Sequence, residues 1–300
     1  MLNIEPHKVM VCVSPGEDCE AALDFAVAQA RSRECGIHLV MALRPIWVGP
    51  TDVADLRVVN GTFRKYGTDF LIECEHRVHK LSDGAVCVST EIIHDAVVPA
   101  LVAESKNAGL VVMQHHRMNH KHHLPTLSVT NGVAARACAP VVAVPDAWRE
   151  ADDHPAVIAV GVEDAISSQQ VVRAAFEEAQ RIGAEVHLVR AWFFSAAFDG
   201  DVFAGELGRV QNEAVKEEVR RAFGAIGGEF PDVKYRAVAV HGRAPDVLVA
   251  ESELARLLVV GRHDPVVPWG SHLGPVTRTV LNHAACPVLV IDPRPQPHVD

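Results

Sequence analysis

The strongest constraint on the fold of this chain is that it repeats itself. Residues 94–105 read HDAVVPALVAES, and residues 241–252, 147 positions later, read HGRAPDVLVAES. The run from Leu101 to Ser105 matches the run from Leu248 to Ser252 without a change, and the same offset sets Pro140 on Pro287 and Val13 on Val160. One register that holds near the start, middle and end of a unit means two copies of one domain. The expected domains are residues 1–147 and 154–300. The polar, proline-containing stretch DAWREADDHP (146–155) between them reads as a linker.

Each copy alternates short apolar runs with longer amphipathic segments. In the second copy the expected strands are 156–162, 185–192, 235–241, 256–261 and 287–292, with helical patterns near 167–182, 203–228, 245–255 and 274–285. In the first copy the strands are 8–13, 37–43, 85–93, 109–114 and 140–144. These runs are β-branched and apolar at successive positions, which suits a parallel sheet covered by helices on both faces. The reading is therefore α/β, two tandem doubly wound domains each with a five-stranded parallel sheet. Gly183 follows a helical pattern as a C-terminal stop. The segment 206–221 carries opposite charges at helical spacing and reads as a solvated helix face.

Charge and composition narrow the partners. Lys plus Arg is 28 against 38 Asp plus Glu, giving −10 with His neutral, and only 5% of residues are aromatic. An acidic chain with few stacking rings is a poor nucleic-acid binder. No apolar run approaches a membrane span, and the start of the chain lacks the pattern of a secretory signal. The seven Cys are odd in number and contain no C-x-x-C, which suits reduced thiols in a cytoplasm, most of them small core hydrophobes.

Ligands of doubly wound sheets bind beyond the carboxyl ends of the strands, so the loops after the strands matter most. After the fourth strand of the second copy comes Gly261-Arg262-His263-Asp264, then, after nine intervening residues, Gly274-Pro275-Val276-Thr277-Arg278 and a helix. A glycine-bearing loop that enters a helix can offer backbone N–H groups to an anion. Taken alone, it fits an ordinary strand–helix connection equally well.

The whole arrangement resembles the universal stress protein family, over nearly all 300 residues and twice. That family has a small five-stranded α/β domain of the adenine nucleotide alpha hydrolase-like type, often in tandem. Many members bind ATP through G-x2-G-x9-G-[S/T], then V-[S/T] and a helix ending in CPV. Here Gly261 and Gly274 stand at the first and last glycines, Val276-Thr277 follows, and HAACPVLVID closes the unit. The resemblance implies ATP or AMP as ligand, with Mg²⁺ where a carboxylate faces phosphate. The implied binding residues are Gly261, Arg262, Gly274, Val276 and Thr277, with Ser128 and Thr130 in the first copy. It also implies that the last strands of the copies pair as an intrachain pseudo-dimer, and that a homodimer and an unidentified protein partner belong to its way of acting.

Several departures weaken this site. The second motif glycine is Asp264, and the Ser/Thr position is Pro275, which has no N–H to offer. The aspartate that ends strand one in ATP-binding members is Gly161 here and Ser14 in the first copy. In the first copy Gln114, Arg117 and Leu127 replace all three glycines, leaving Ser128 and Thr130. The expected function is a cytoplasmic stress-response regulator with weak or partly lost nucleotide binding, mainly in the second copy. The alternative is a nucleotide-free interaction protein that keeps the fold.

The first-copy loop also holds His115, His116, His120, His122 and His123, five of the chain's 17 His. No Cys or carboxylate lies within the run, so no metal site is assigned to it. The expectation is an exposed loop whose charge rises as pH falls. No phosphate-loop lysine motif, nucleophile turn or H-E-x-x-H occurs. The chain therefore reads as a binding protein, with ATP hydrolysis at most slow and incidental. Glu163 and Asp164 read as helix-start residues.

Overall fold

A computed structural model describes residues 8–16, 18–44, 53–115, 128–150, 156–193, 205–262 and 273–294, with the side chains of 53–60 excepted. The chain divides into two compact units that meet between Glu150 and Ala151.

The first unit runs β1 (Lys8–Cys12), α1 (Glu20–Ser32), β2 (Ile37–Ala42), α2 (Val53–Ser82), β3 (Val88–Ile93), α3 (Val97–Glu104), β4 (Ala108–His115), α4 (Val129–Ala134) and β5 (Val141–Pro145). Its strands pair in parallel in the order β3-β2-β1-β4-β5. The second unit runs β6 (Val157–Gly161), α5 (Gln169–Ile182), β7 (Glu185–Trp192), α6 (Glu206–Glu229), β8 (Tyr235–His241), α7 (Ala244–Glu251), β9 (Leu257–Gly261), α8 (Pro275–His283) and β10 (Val288–Ile291). Its order, β8-β7-β6-β9-β10, is the same, and again every pair is parallel. The α/β reading with two five-stranded parallel sheets is therefore what the chain adopts.

The central strands explain the continuous apolar runs. Val9, Met10 and Val11 in β1, and Ile158, Ala159 and Val160 in β6, are fully buried. Consecutive residues can be buried only when helices cover both faces of the sheet. Gly183 ends α5 at φ 68°, where its N–H returns to the Ala179 carbonyl. A left-handed residue at that place favours glycine.

The charged segment of α6 forms the expected surface ladder. Arg209 pairs with Glu206, Lys216 with Glu213 and Arg220 with Glu217, each three residues apart. Val215, Val219 and Phe223 of the same helix face the core.

The thiols are more varied than a set of core hydrophobes. Cys74 and Cys286 are buried, whereas Cys87 and Cys138 are exposed. Cys19 and Cys74 stand 3.6 Å apart, hydrogen-bonded between the start of α1 and α2. Among the described residues, no helix is long and apolar enough to cross a membrane.

Candidate functional site

Strand order locates the crevice in each unit. In the second unit β6 lies between β7 and β9, and the chain turns outward in opposite directions from β6 and from β9. The switch point is thus between the carboxyl ends of β6 and β9, where Gly161 and Gly261 are the terminal residues. The matching place in the first unit lies between the ends of β1 and β4.

Both glycines of the second unit are held by packing. A Cβ on Gly161 would stand 3.0 Å from Leu248 Cδ1 and 3.3 Å from Leu248 Cδ2. A Cβ on Gly261 would stand 3.0 Å from Val171 Cγ2. So α7 closes in behind the end of β6, and α5 closes in behind the first motif glycine. Neither contact has a signal in the sequence, because each joins segments far apart in the chain. The strand pairings also correct the expected match of Gly161 with Ser14: Met10 and Ala159 hold equivalent places beside Val111 and Leu258, so Gly161 stands on Cys12 and Glu163 on Ser14.

Gly274 is the residue before α8, in an extended conformation, and Pro275 takes the first helical position. Proline there is structurally apt, since an N–H at that place has no acceptor within the helix. Thr277 is buried, and its hydroxyl donates to the Gly261 carbonyl at 2.8 Å. That bond ties the first turn of α8 back to the end of β9. The N–H groups of Val276 and Thr277 belong to the first turn, whose donors have no partner within the helix.

Arg262 does not extend from the surface. Its side chain is 5% exposed, with Nη1 3.3 Å from Asp292 Oδ2. Asp292 is gripped again by Arg294, whose Nη2 lies 2.7 Å from Oδ2 and whose Nε lies 3.0 Å from Oδ1. Burial works against ionisation of Asp292, but the hydrogen bonds and charges of the two arginines win and hold its carboxyl below the ordinary range. Asp264, His263 and His272 lie outside the described residues.

The helix-start reading of Asp164 holds. Its Oδ1 accepts from the N–H groups of Ile166 and Ser167, at 2.8 and 2.9 Å, just ahead of α5. Hydrogen bonds from the Ser167 hydroxyl and from these N–H groups keep its carboxyl below the ordinary range. His241 packs edge-on against Trp192, with ring centroids 4.9 Å apart.

In the first unit Ser128 and Thr130 are differently employed. Ser128 caps α4 by accepting the Asn131 N–H at 3.3 Å, and Thr130 is buried. The new feature is Gln114, in the place of the first motif glycine. Its Nε2 donates to the Asp18 carbonyl, and its Oε1 accepts from the Ala22 N–H at 3.2 Å. The side chain thus crosses from the end of β4 to the start of α1, over the switch point. Gln114→Ala removes both bonds and is expected to cost about 1–2 kcal/mol of stability, read by urea denaturation. A change of under a few tenths of a kcal/mol would mean that the bridge carries no energy.

One expectation is corrected. His115 is not on an exposed loop: β4 runs on to it, it pairs in register with Pro145 of β5, and it is 8% exposed. The pairing continues because the Asp146 N–H donates to the His115 carbonyl at 3.0 Å. His116, Arg117, His120, His122, His123 and Leu127 lie outside the described residues.

Known proteins give this geometry a setting. Universal stress protein Rv1996 of Mycobacterium tuberculosis is 25% identical over 292 residues, 92% of each chain. A crystal structure of a universal stress protein from Archaeoglobus fulgidus superposes with a TM-score of 0.68 at 14% identity, over 96% of this chain and 97% of that one. A second structure, a universal stress protein in complex with cAMP, matches 46% of this chain and 97% of its own at 26% identity, with a TM-score of 0.33. The model of the universal stress protein family matches twice, over residues 6–145 and 156–292. The chain therefore belongs to the universal stress protein family, with two family domains in tandem.

Proposed function

We propose that the protein is a non-catalytic regulator whose second unit keeps a weak adenine-nucleotide site and whose first unit keeps none. It acts in the cytoplasm through a protein partner in the response to stress. The observation that carries this reading is the start of α8 at the switch point. The Thr277 hydroxyl anchors the helix to Gly261, and the N–H groups of Val276 and Thr277 head it. Two first-turn donors and a helix dipole make a modest phosphate site.

Its weakness has physical sources. Pro275 supplies no N–H, and Asp264 puts a carboxylate in the sequence where the family motif has its second glycine. Arg262 is engaged by Asp292. In the first unit Gln114 fills the matching place with its own hydrogen bonds. A second reading, a nucleotide-free interaction protein, is favoured by Leu248, which crowds the end of β6 at the crevice.

Calorimetric titration with ATP and AMP, with and without Mg²⁺, tests the first reading, together with analysis of the nucleotide released when the purified protein is denatured. The native chain should bind weakly. The Asp264→Gly, Pro275→Ser variant should bind about tenfold more tightly, the equivalent of one or two recovered hydrogen bonds at about 1 kcal/mol each. If neither form shows a thermal shift at millimolar nucleotide, the nucleotide-free reading takes its place.

A further inference from the structure

We propose that the first unit carries a divalent transition-metal site, of the kind that takes Zn²⁺, formed by His38, Glu91 and Glu104. It lies away from the crevice, since His38 is the second residue of β2 and so sits towards the amino ends of the strands. His38 comes from β2, Glu91 from β3 and Glu104 from the end of α3. One ligand atom from each lies within 4.8 Å of the others.

The distances suit a shared ion. His38 Nε2 is 3.3 Å from Glu91 Oε2 and 4.0 Å from Glu104 Oε1. Two donors each about 2.1 Å from one tetrahedral ion stand about 3.4 Å apart. The first distance already meets that value, and the second needs only a small turn of the Glu104 side chain. The imidazole is also oriented. His38 Nδ1 lies 2.9 Å from Ser89 Oγ, which accepts from Lys8 Nζ at 3.2 Å. Donation of the Nδ1 proton to Ser89 leaves the Nε2 lone pair facing the two carboxylates, which is the tautomer a metal needs. Asn107 Nδ2 donates to Glu104 Oε1 at 3.2 Å and steadies the third ligand. A nitrogen with two carboxylate oxygens favours Zn²⁺ or Co²⁺ over Mg²⁺ or Ca²⁺, which prefer all-oxygen shells.

The second copy supplies an independent argument. The run IHLV (37–40) recurs as VHLV (186–189), so His187 stands where His38 stands; His38 pairs with Ser89 and His187 with Arg236. Arg236 therefore stands where Ser89 stands. By the 147-residue offset, Val238 replaces Glu91 and Glu251 replaces Glu104. In that unit Arg236 Nε lies 3.7 Å from Glu185 Oε1 and donates to His187 Nε2 at 2.9 Å. Its charge also acts on Glu251. The second unit thus lacks the second carboxylate and sets a guanidinium against its histidine instead. The first unit has Glu91 where the second has Val238, and Ser89, reached by the Lys8 ammonium, where the second has its cation.

The test must exclude the histidines of the 115–123 loop. The full-length chain with His116, His120, His122 and His123 changed to Gln serves as the background. It is titrated with Zn²⁺ by calorimetry and with Co²⁺ by visible absorption. One site per chain should remain, and Zn²⁺ should raise the melting temperature. His38→Gln and Glu104→Gln should each weaken Zn²⁺ by at least tenfold. Glu91→Val should abolish binding while the circular dichroism stays native, because the second unit folds with Val238 at that place. A background protein that takes up no Zn²⁺ at a hundredfold molar excess overturns the proposal. Binding that survives unchanged in His38→Gln or Glu91→Val overturns it as well, and leaves the three side chains as a simple ion-paired cluster.

Discussion

Phe176→Ala is expected to destabilise the second unit by about 4 kcal/mol, the range of a large aromatic removed from a sealed core. Phe176 lies on α5 and has no exposed surface. Its ring is 5.5 Å from that of Phe230 and 5.4 Å, edge-on, from that of Tyr235. These partners come from different places: Phe230 follows α6, and Tyr235 opens β8. Tyr235 in turn lies flat on α6 at Gly227, where a Cβ would come within 2.5 Å of the ring. The cluster therefore fixes α5, the end of α6 and the start of the outer strand in one contact. Removing its central ring leaves a cavity that a helix and a strand cannot both collapse into. Urea denaturation gives the free-energy change. Hydrogen exchange should show β6, β7 and β8 losing protection while β1 and β2 keep theirs. A loss below about 1 kcal/mol would mean that the site relaxes, against its observed packing.

Where the sequence was explicit, the signal was local or repeated. The strands could be read because burial on both faces writes itself as an unbroken apolar run, as at Val9–Val11 and Ile158–Val160. Gly183 could be read because a left-handed helix end has few substitutes for glycine. The α6 charges could be read because partners three residues apart lie on one face. The site was less legible, since its determinants are contacts between distant segments. Arg262 looks in the sequence like a cation beside a phosphate loop, yet Asp292, thirty residues on, draws it inward. Gln114 looks like a lost glycine, yet its amide takes up both Asp18 and Ala22. Gly161 looks like a missing aspartate, yet the strand pairings set it on Cys12 and set Glu163 on Ser14. The offset of 147 residues was the sharpest tool throughout. It carried the domain reading and sets Val238 on Glu91 and Arg236 on Ser89, whereas the first strands are displaced by two, with Ala159 standing on Met10.

A carboxylate at the end of β6 measures how closely packing bounds the crevice. Gly161→Asp is expected to lower stability by about 2–3 kcal/mol. The new Cβ would meet Leu248 Cδ1 at 3.0 Å and Val260 Cγ1 at 3.5 Å, so the leucine must move. Overpacking of this kind costs about 1–3 kcal/mol. A carboxylate brought against two apolar side chains adds a desolvation cost unless it reaches water or a ligand. Leu248→Ala frees the space but leaves a cavity, at about 2–5 kcal/mol. The two changes touch, so their effects should not add. In the double variant the aspartate fills the room the leucine leaves, and the total loss should fall short of the sum by 1 kcal/mol or more. Denaturation of the four proteins measures the coupling. If the two losses added, or if Gly161→Asp alone kept native stability, Leu248 would not bound the space at Gly161, against its observed packing.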